Sequence, residues 1–568
     1  MTETSNLNAD KILPEPLPGD LAGALMALPA KQRLEAILEH PDSARVVAAL
    51  PEQDFTLTVI ELGPDDALPL LAAARPSQLN LLFDLKWWHK DEILPGPALE
   101  WIERLARASR QNLLRWLYQA DFELLVSFFG RWLRVAVVAD DADLTEVRDD
   151  YPPRTLDDQY FWEAQYPQHE TLLQSILEFL FVNHHGFYKA LLDQIMLLTN
   201  TGMVEEAFRF RRGRLEDLGI PDFYDALGIY QPIAQDELLR NDKSVILPPS
   251  SVEGDPAGFA LALLGGGDLL DRSLYRIHDP TTRLTLQREL VALANKVVVA
   301  DELLPEEANG LRQAVDKVAA MVSLGLDLHA SGDESLAVVA LQELFLEHLF
   351  RLGFSQVART RGRLQRLCKT GWLARWPAGI ACLDDPWKEA AELLLARSPR
   401  ILRPDAGKVG ASRIDMIRNR RDLWLAKQTV DTIVALGTVF EQLNVEPHLL
   451  EAELWQDGQA RLLQDVTVSR FLCTAAANWL WRRRWQVRPL PLGSWKEVAS
   501  HLSPVSLEQT VRTWLEQQAF DDAKRVLVDS YLQPLFVAYR EEAGAGGPDG
   551  IPDPRFVTLF LFSAGEQD

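Results

Sequence analysis

Two acid-bearing stretches offer the first chemistry in this chain. In ALPEQDFTLTVIELGPDDALPLL, Glu52 and Asp54 follow Pro51, and Asp65 and Asp66 follow Pro64. Grouped carboxylates are the oxygen ligands that hard divalent cations take. They also suit the positive end of a helix dipole, where a first-turn proline forfeits no hydrogen bond. The helix reading is the stronger, because prolines recur at 29, 41, 51, 64 and 76.

Other metal candidates are thinner. Glu178 and His185, seven apart in EFLFVNHHGFYK, would share a face if one helix carried both. One imidazole and one carboxylate fall short of a ligand set, and the adjacent His184 would point about 100° away. His448 and Glu451, with Glu453 nearby, make a similar helical pair. Trp87, Trp88 and His89 read as the cap of a helical stack. The sequence holds no H-E-x-x-H, G-x-S-x-G or S-x-x-K and no glycine-rich phosphate loop between strand and helix. The glycine runs LLGGGDLLDR, GKVGAS and AGAGGPDG read as turns. Cys368, Cys382 and Cys473 are odd in number and widely spaced, which indicates neither a disulfide framework nor a zinc site.

Arginine supplies the sharper signals. Arg211, Arg212 and Arg214 fall in FRFRRGR; Arg413, Arg418, Arg420 and Arg421 fall in a basic island at 397–427; Arg482, Arg483 and Arg484 form WRRRW. Guanidinium groups bind carboxylate or phosphate with two parallel hydrogen bonds, which suits an acidic partner, a phosphate ligand or RNA. The competing and preferred reading is pairing with the chain's own acids, such as the run at 140–170. A formal charge of −24 across 568 residues argues against DNA binding by the whole protein.

The elements that must position these residues are mostly helices. Short apolar-striped segments between the prolines cannot persist singly, so they imply a superhelical stack continuing through Trp101, Trp116 and Trp132 as core residues. Leu-Gly pairs at 218–219, 227–228 and 352–353 read as helix stops. The β-branched run after Arg134 reads as a small β-hairpin insertion, and the apolar ending RFVTLFLF as a strand that needs a partner. The expected organisation is a helical stack at 1–135, an acidic β-containing insertion at 136–170, an αα-hairpin layer at 171–245 and a linker at 246–260. Helical domains at 261–395 and 396–540 follow, the second starting its long helices near 412 and 459, then a Gly/Pro turn and strand-like tail at 541–568.

The pattern ALPEQDFTLTVIELGPDDALPLLAAARPSQLNLLFDL, within residues 20–95, resembles the armadillo-like cytosolic N-terminal domain of MgtE-type magnesium transporters. The longer combination with TLDDQYFWEA and EEAFRFRRGRLEDLGI looks like an uncharacterised bacterial family. The first resemblance implies stacked helices and a possible Mg2+ response; the second implies no activity. The expectation is a mostly α, non-catalytic cytoplasmic scaffold or regulatory module that binds a protein partner, without a cofactor or membrane insertion. The alternatives are a divalent-cation-responsive regulator and an enzyme with an inter-domain site.

Overall fold

The computed structural model describes residues 19–138, 151–197, 200–238, 256–265, 267–303, 308–376, 378–404, 412–443, 466–518, 521–544 and 557–563. His448, Glu451, Glu453, residues 140–150 of the acidic run, most of the 246–260 linker, residues 407–411 of GKVGAS and residues 545–550 of AGAGGPDG lie outside these. The chain is mostly α-helical with small sheets. It divides into Met1–Arg351 and Leu352–Asp568.

In the first unit, proline sets several of the helix starts. Pro29 and Pro51 are N-caps of Ala30–Glu39 and Glu52–Leu62, and Pro76 opens Pro76–Lys86. Their ψ of 146° is extended, so Pro29 and Pro51 stand one position ahead of the first helical residue. Pro64 instead lies in a turn ahead of Leu68–Ala73. Helices this short leave their last carbonyls unpaired. Three buried side chains answer that need. Arg33 donates to the carbonyls of Leu25, Met26 and Leu28 at 3.1, 3.4 and 3.0 Å, closing Gly19–Ala27. The Gln78 amide donates to Val47 and Leu50, both at 2.8 Å, closing Ser43–Ala49. The Asn112 amide does the same for Leu71 and Ala74 at 2.7 and 3.0 Å.

Aromatic packing fills the stack beneath these contacts. Trp87 lies flat on Phe83 with centroids 4.0 Å apart and meets Trp116 and Phe128 edge-on. Trp87, Trp116 and Trp132 are fully buried, so the Trp87-Trp88 pair is core rather than a surface cap. Leu133–Val137 pairs antiparallel with Tyr160–Ala164, which also carries Arg154–Thr155. Only one of the three Leu-Gly pairs stops a helix in the left-handed conformation. Gly219 has φ +74°, and the N–H of Ile220 returns to Leu215 at 2.8 Å. Gly228 is right-handed, and Gly353 lies inside Leu346–Lys369, because neither position needs the backbone to reverse. Residues 257, 259 and 260, read as linker, are buried.

The second unit places Arg400–Pro404 against Ser412–Met416 as an antiparallel pair, where the sequence suggested that a helix begins; the helix is Arg420–Leu443. Val468–Arg482, Pro504–Gln517 and Asp522–Gly544 complete the main helices. Phe562–Ser563 finds its partner in Leu490–Pro491, in parallel. No helix among the described residues is long and apolar enough to cross a membrane.

Candidate interaction surface

The acids that open the chain's chemistry stand in different surroundings. Glu52 accepts from Arg75 at 3.3 Å and from the Ser77 hydroxyl at 2.9 Å. Asp65 is exposed, 3.6 Å from Arg107, and Asp66 is exposed beside it. Asp54 is fully buried and accepts the backbone N–H groups of Gly258 and Phe259 at 2.7 and 3.0 Å. Burial pushes its carboxyl up to about 6, while those N–H groups and Arg33 pull the other way. Arg33 lies 3.2 Å from Glu61, which Arg312 also reaches at 2.6 Å.

Glu178 and His185 do not share a helix. Glu170–Asn183 ends at His184, whose φ of −145° and ψ of 55° break the spiral before His185–Leu197 begins. Glu178 accepts from Gln174 at 2.8 Å, and His185 packs its ring against Phe181. Among the described residues, no group of three or more His, Cys, Asp or Glu could hold a metal ion.

In two of the three arginine islands most of the arginines pair with the chain's own carboxylates. Arg214 grips both oxygens of Asp84 at 2.8 Å and also binds Asp121. Burial opposes its charge, yet the two carboxylates outweigh burial and hold its pKa above the usual arginine value. Arg211 donates to the Asp84 carbonyl at 2.8 Å and lies over the Trp88 ring, and Arg212 pairs with Glu216 and Asp222. Further along, Arg413 and Arg418 lie 2.7 and 3.4 Å from Asp415. The backbone N–H of Arg418 donates to Asp422, which Arg403 also binds. Arg420 is engaged as well, and Arg421 is exposed.

The third island faces outward. Val468–Arg482 ends in a left-handed residue, Arg483, at φ 57° and ψ 29°, whose N–H donates to Trp479 at 3.0 Å. A residue with a Cβ costs about 1 kcal/mol in this conformation. The surroundings hold it there. The buried Asn478 amide reaches the carbonyls of Gln486 and Arg488 at 3.1 and 2.7 Å, fastening the chain after the turn. Trp485 stacks on Trp514 with centroids 4.8 Å apart and planes 9° apart. Trp481 donates its indole N–H to Glu497 at 3.2 Å, and the Arg482 guanidinium lies 3.8 Å from its ring centroid. Arg482, Arg483 and Arg484 are exposed, and among the described residues no carboxylate forms an ion pair with them.

Two other polar sites bear on catalysis. A cleft of about 360 Å³ is lined by Glu103, Arg107, Arg110, His169, Leu172 and Ser175, among others, and His169 Nδ1 lies 3.0 Å from Glu103. Ser175 donates its hydroxyl proton to the Leu172 carbonyl at 3.0 Å. In the second unit the hydroxyls of Ser469 and Tyr531 both donate to Asp384 at 2.6 Å. All three residues are buried, and burial raises the neighbouring Cys382 and Cys473 thiols well above their usual range. These groups satisfy one another in the core. No local signal predicted this set, whose members stand 85 and 147 residues apart. Arg33 could have been found: it sits one turn before Ile37, as a lone charge on the buried stripe of its helix.

No curated protein and no solved structure matches the chain. A family model does, over residues 18–563, and the chain belongs to that family of unknown function, DUF6178.

Proposed function

We propose that this DUF6178 member is a non-catalytic cytoplasmic scaffold that binds a protein partner through its helical surface. One observation carries the reading: the turn after Val468–Arg482 is fixed by Asn478 and Trp485, yet its three arginines serve no ion pair among the described residues. A rigid, strained turn that presents unused donors lowers the ordering cost of binding. The other islands supply the contrast, since Arg214 and Arg418 hold their own elements together. Free cysteines throughout support a reducing compartment. The MgtE-like character of residues 20–95 belongs to this proposal as a stacking pattern, supported by the helix starts at Pro29, Pro51 and Pro76. The reading does not call on a Mg2+ response: Glu52 and Asp54 meet Arg75 and backbone N–H groups, Asp65 lies 3.6 Å from Arg107, and Asp66 is exposed.

Affinity isolation of the intact tagged chain from its host tests the proposal. The expected result is a protein partner recovered in stoichiometric amount across replicate preparations. Recovery of the chain alone, with a small molecule retained in native mass spectra, contradicts it.

A further inference from the structure

The exposed turn also narrows the partner's chemistry, an inference that rests on the scaffold reading. We infer that residues 479–485 dock a short acidic segment of a partner polypeptide. Its carboxylates meet Arg482, Arg483 and Arg484, and its apolar side chains meet Trp479, which is 41% exposed. The N–H of Arg483 closes on the Trp479 carbonyl at 3.0 Å, so the turn that carries the arginines is fastened to the residue that carries the exposed indole. Arg482 already lies over Trp481, an arrangement that leaves its N–H fork pre-oriented for a carboxylate. Glu497, hydrogen-bonded to the Trp481 indole, adds a negative charge beside the basic surface.

Charge balance selects this occupant over other polyanions. Sequence-independent nucleic-acid binding neutralises about six to ten phosphates, and polybasic membrane sites use about four to eight basic residues. The turn offers three arginines on a chain of net charge −24. Three guanidinium groups match the two or three carboxylates of a short acidic segment, fewer charges than a long polyanion presents.

The test measures fluorescence anisotropy of a labelled short peptide of Glu and Asp around one Leu, with the intact chain. Binding is expected for the wild type, weakening as salt rises, and falling by about tenfold or more in R482A/R483A/R484A. Because alanine at position 483 keeps the left-handed strain while losing the arginine side chain, R483G serves as a second probe. Glycine accepts the left-handed conformation, so this variant keeps the turn, melts at a higher temperature and still loses part of the affinity. The inference is overturned if the wild type does not bind the peptide, or if the triple variant binds it equally. Tighter turn-dependent binding of an oligouridylate or a phosphatidylserine vesicle also overturns it. If the triple variant still recovers the stoichiometric partner from the host, the scaffold reading stands and the acidic-segment inference falls.

Discussion

Asp54 shows how one side chain can hold distant segments together at a cost that depends on pH. Its carboxyl rises from 3.8 to about 6 on folding, so the folded chain holds the proton more tightly than the unfolded chain. That contribution favours folding fully below pH 3.8 and disappears as pH rises through about 6, a swing on the order of 3 kcal/mol. Asp54→Ala strands the Gly258 and Phe259 N–H groups, a penalty of about 1–3 kcal/mol for each. At neutral pH the variant also escapes the ionisation cost. The expected outcome is a larger stability loss near pH 4 than near pH 7.5 in urea melts; a pH-independent loss contradicts the assignment. Tyr531→Phe leaves Asp384 without one donor and its own N–H without an acceptor, and should cost about 2 kcal/mol in the same measurement. The sequence suggested that Asp54 is a first-turn acid, and it does occupy that position. Its buried role was not legible because the partner N–H groups lie 204 and 205 residues further on.

At the scale of elements, helix ends carry most of the information. Period and proline spacing revealed the stack, since Pro29, Pro51 and Pro76 act locally. The cap donors Gln78 and Asn112 act across 28 to 41 residues, which no local pattern encodes. The strand pair at Arg400–Pro404 and Ser412–Met416 was missed for a different reason. Both strands show partly exposed side chains, so neither carries the buried alternation that marks a strand in sequence. Two substitutions test the helix-end argument. Arg483→Gly should stabilise the chain by about 1 kcal/mol, read as a higher urea midpoint, because it removes left-handed strain without removing a described ion pair. Gly437→Ala should destabilise it by about 1–3 kcal/mol, since the added Cβ would lie 2.4 Å from the Trp372 ring. That ring is pinned by its indole N–H to the Ile433 carbonyl at 2.9 Å, so it cannot retreat cheaply.

At the scale of the molecule, the first unit is tied together over long sequence distances. Gln53 reaches the Leu218 carbonyl at 2.8 Å, Arg214 holds Asp84 and Asp121, and Arg312 holds Glu61. Residues 1–135 expressed alone should therefore unfold without a cooperative transition, whereas residues 1–351 should show one by circular dichroism in urea. A sharp transition in the shorter piece contradicts the role given to these ties. Charge is distributed by the same logic, with Arg214 and Arg418 spent inside the fold and Arg482 to Arg484 left outside it. The central claim is that this exposed turn is where a partner docks. Photo-crosslinking in the native host tests it most directly, with a photoreactive side chain at position 484 in one variant and at the exposed position 178 in another. A single protein, crosslinked through an acidic segment, captured from position 484 and not from 178 is the predicted result. Capture from 178 alone, or from neither position, contradicts the account.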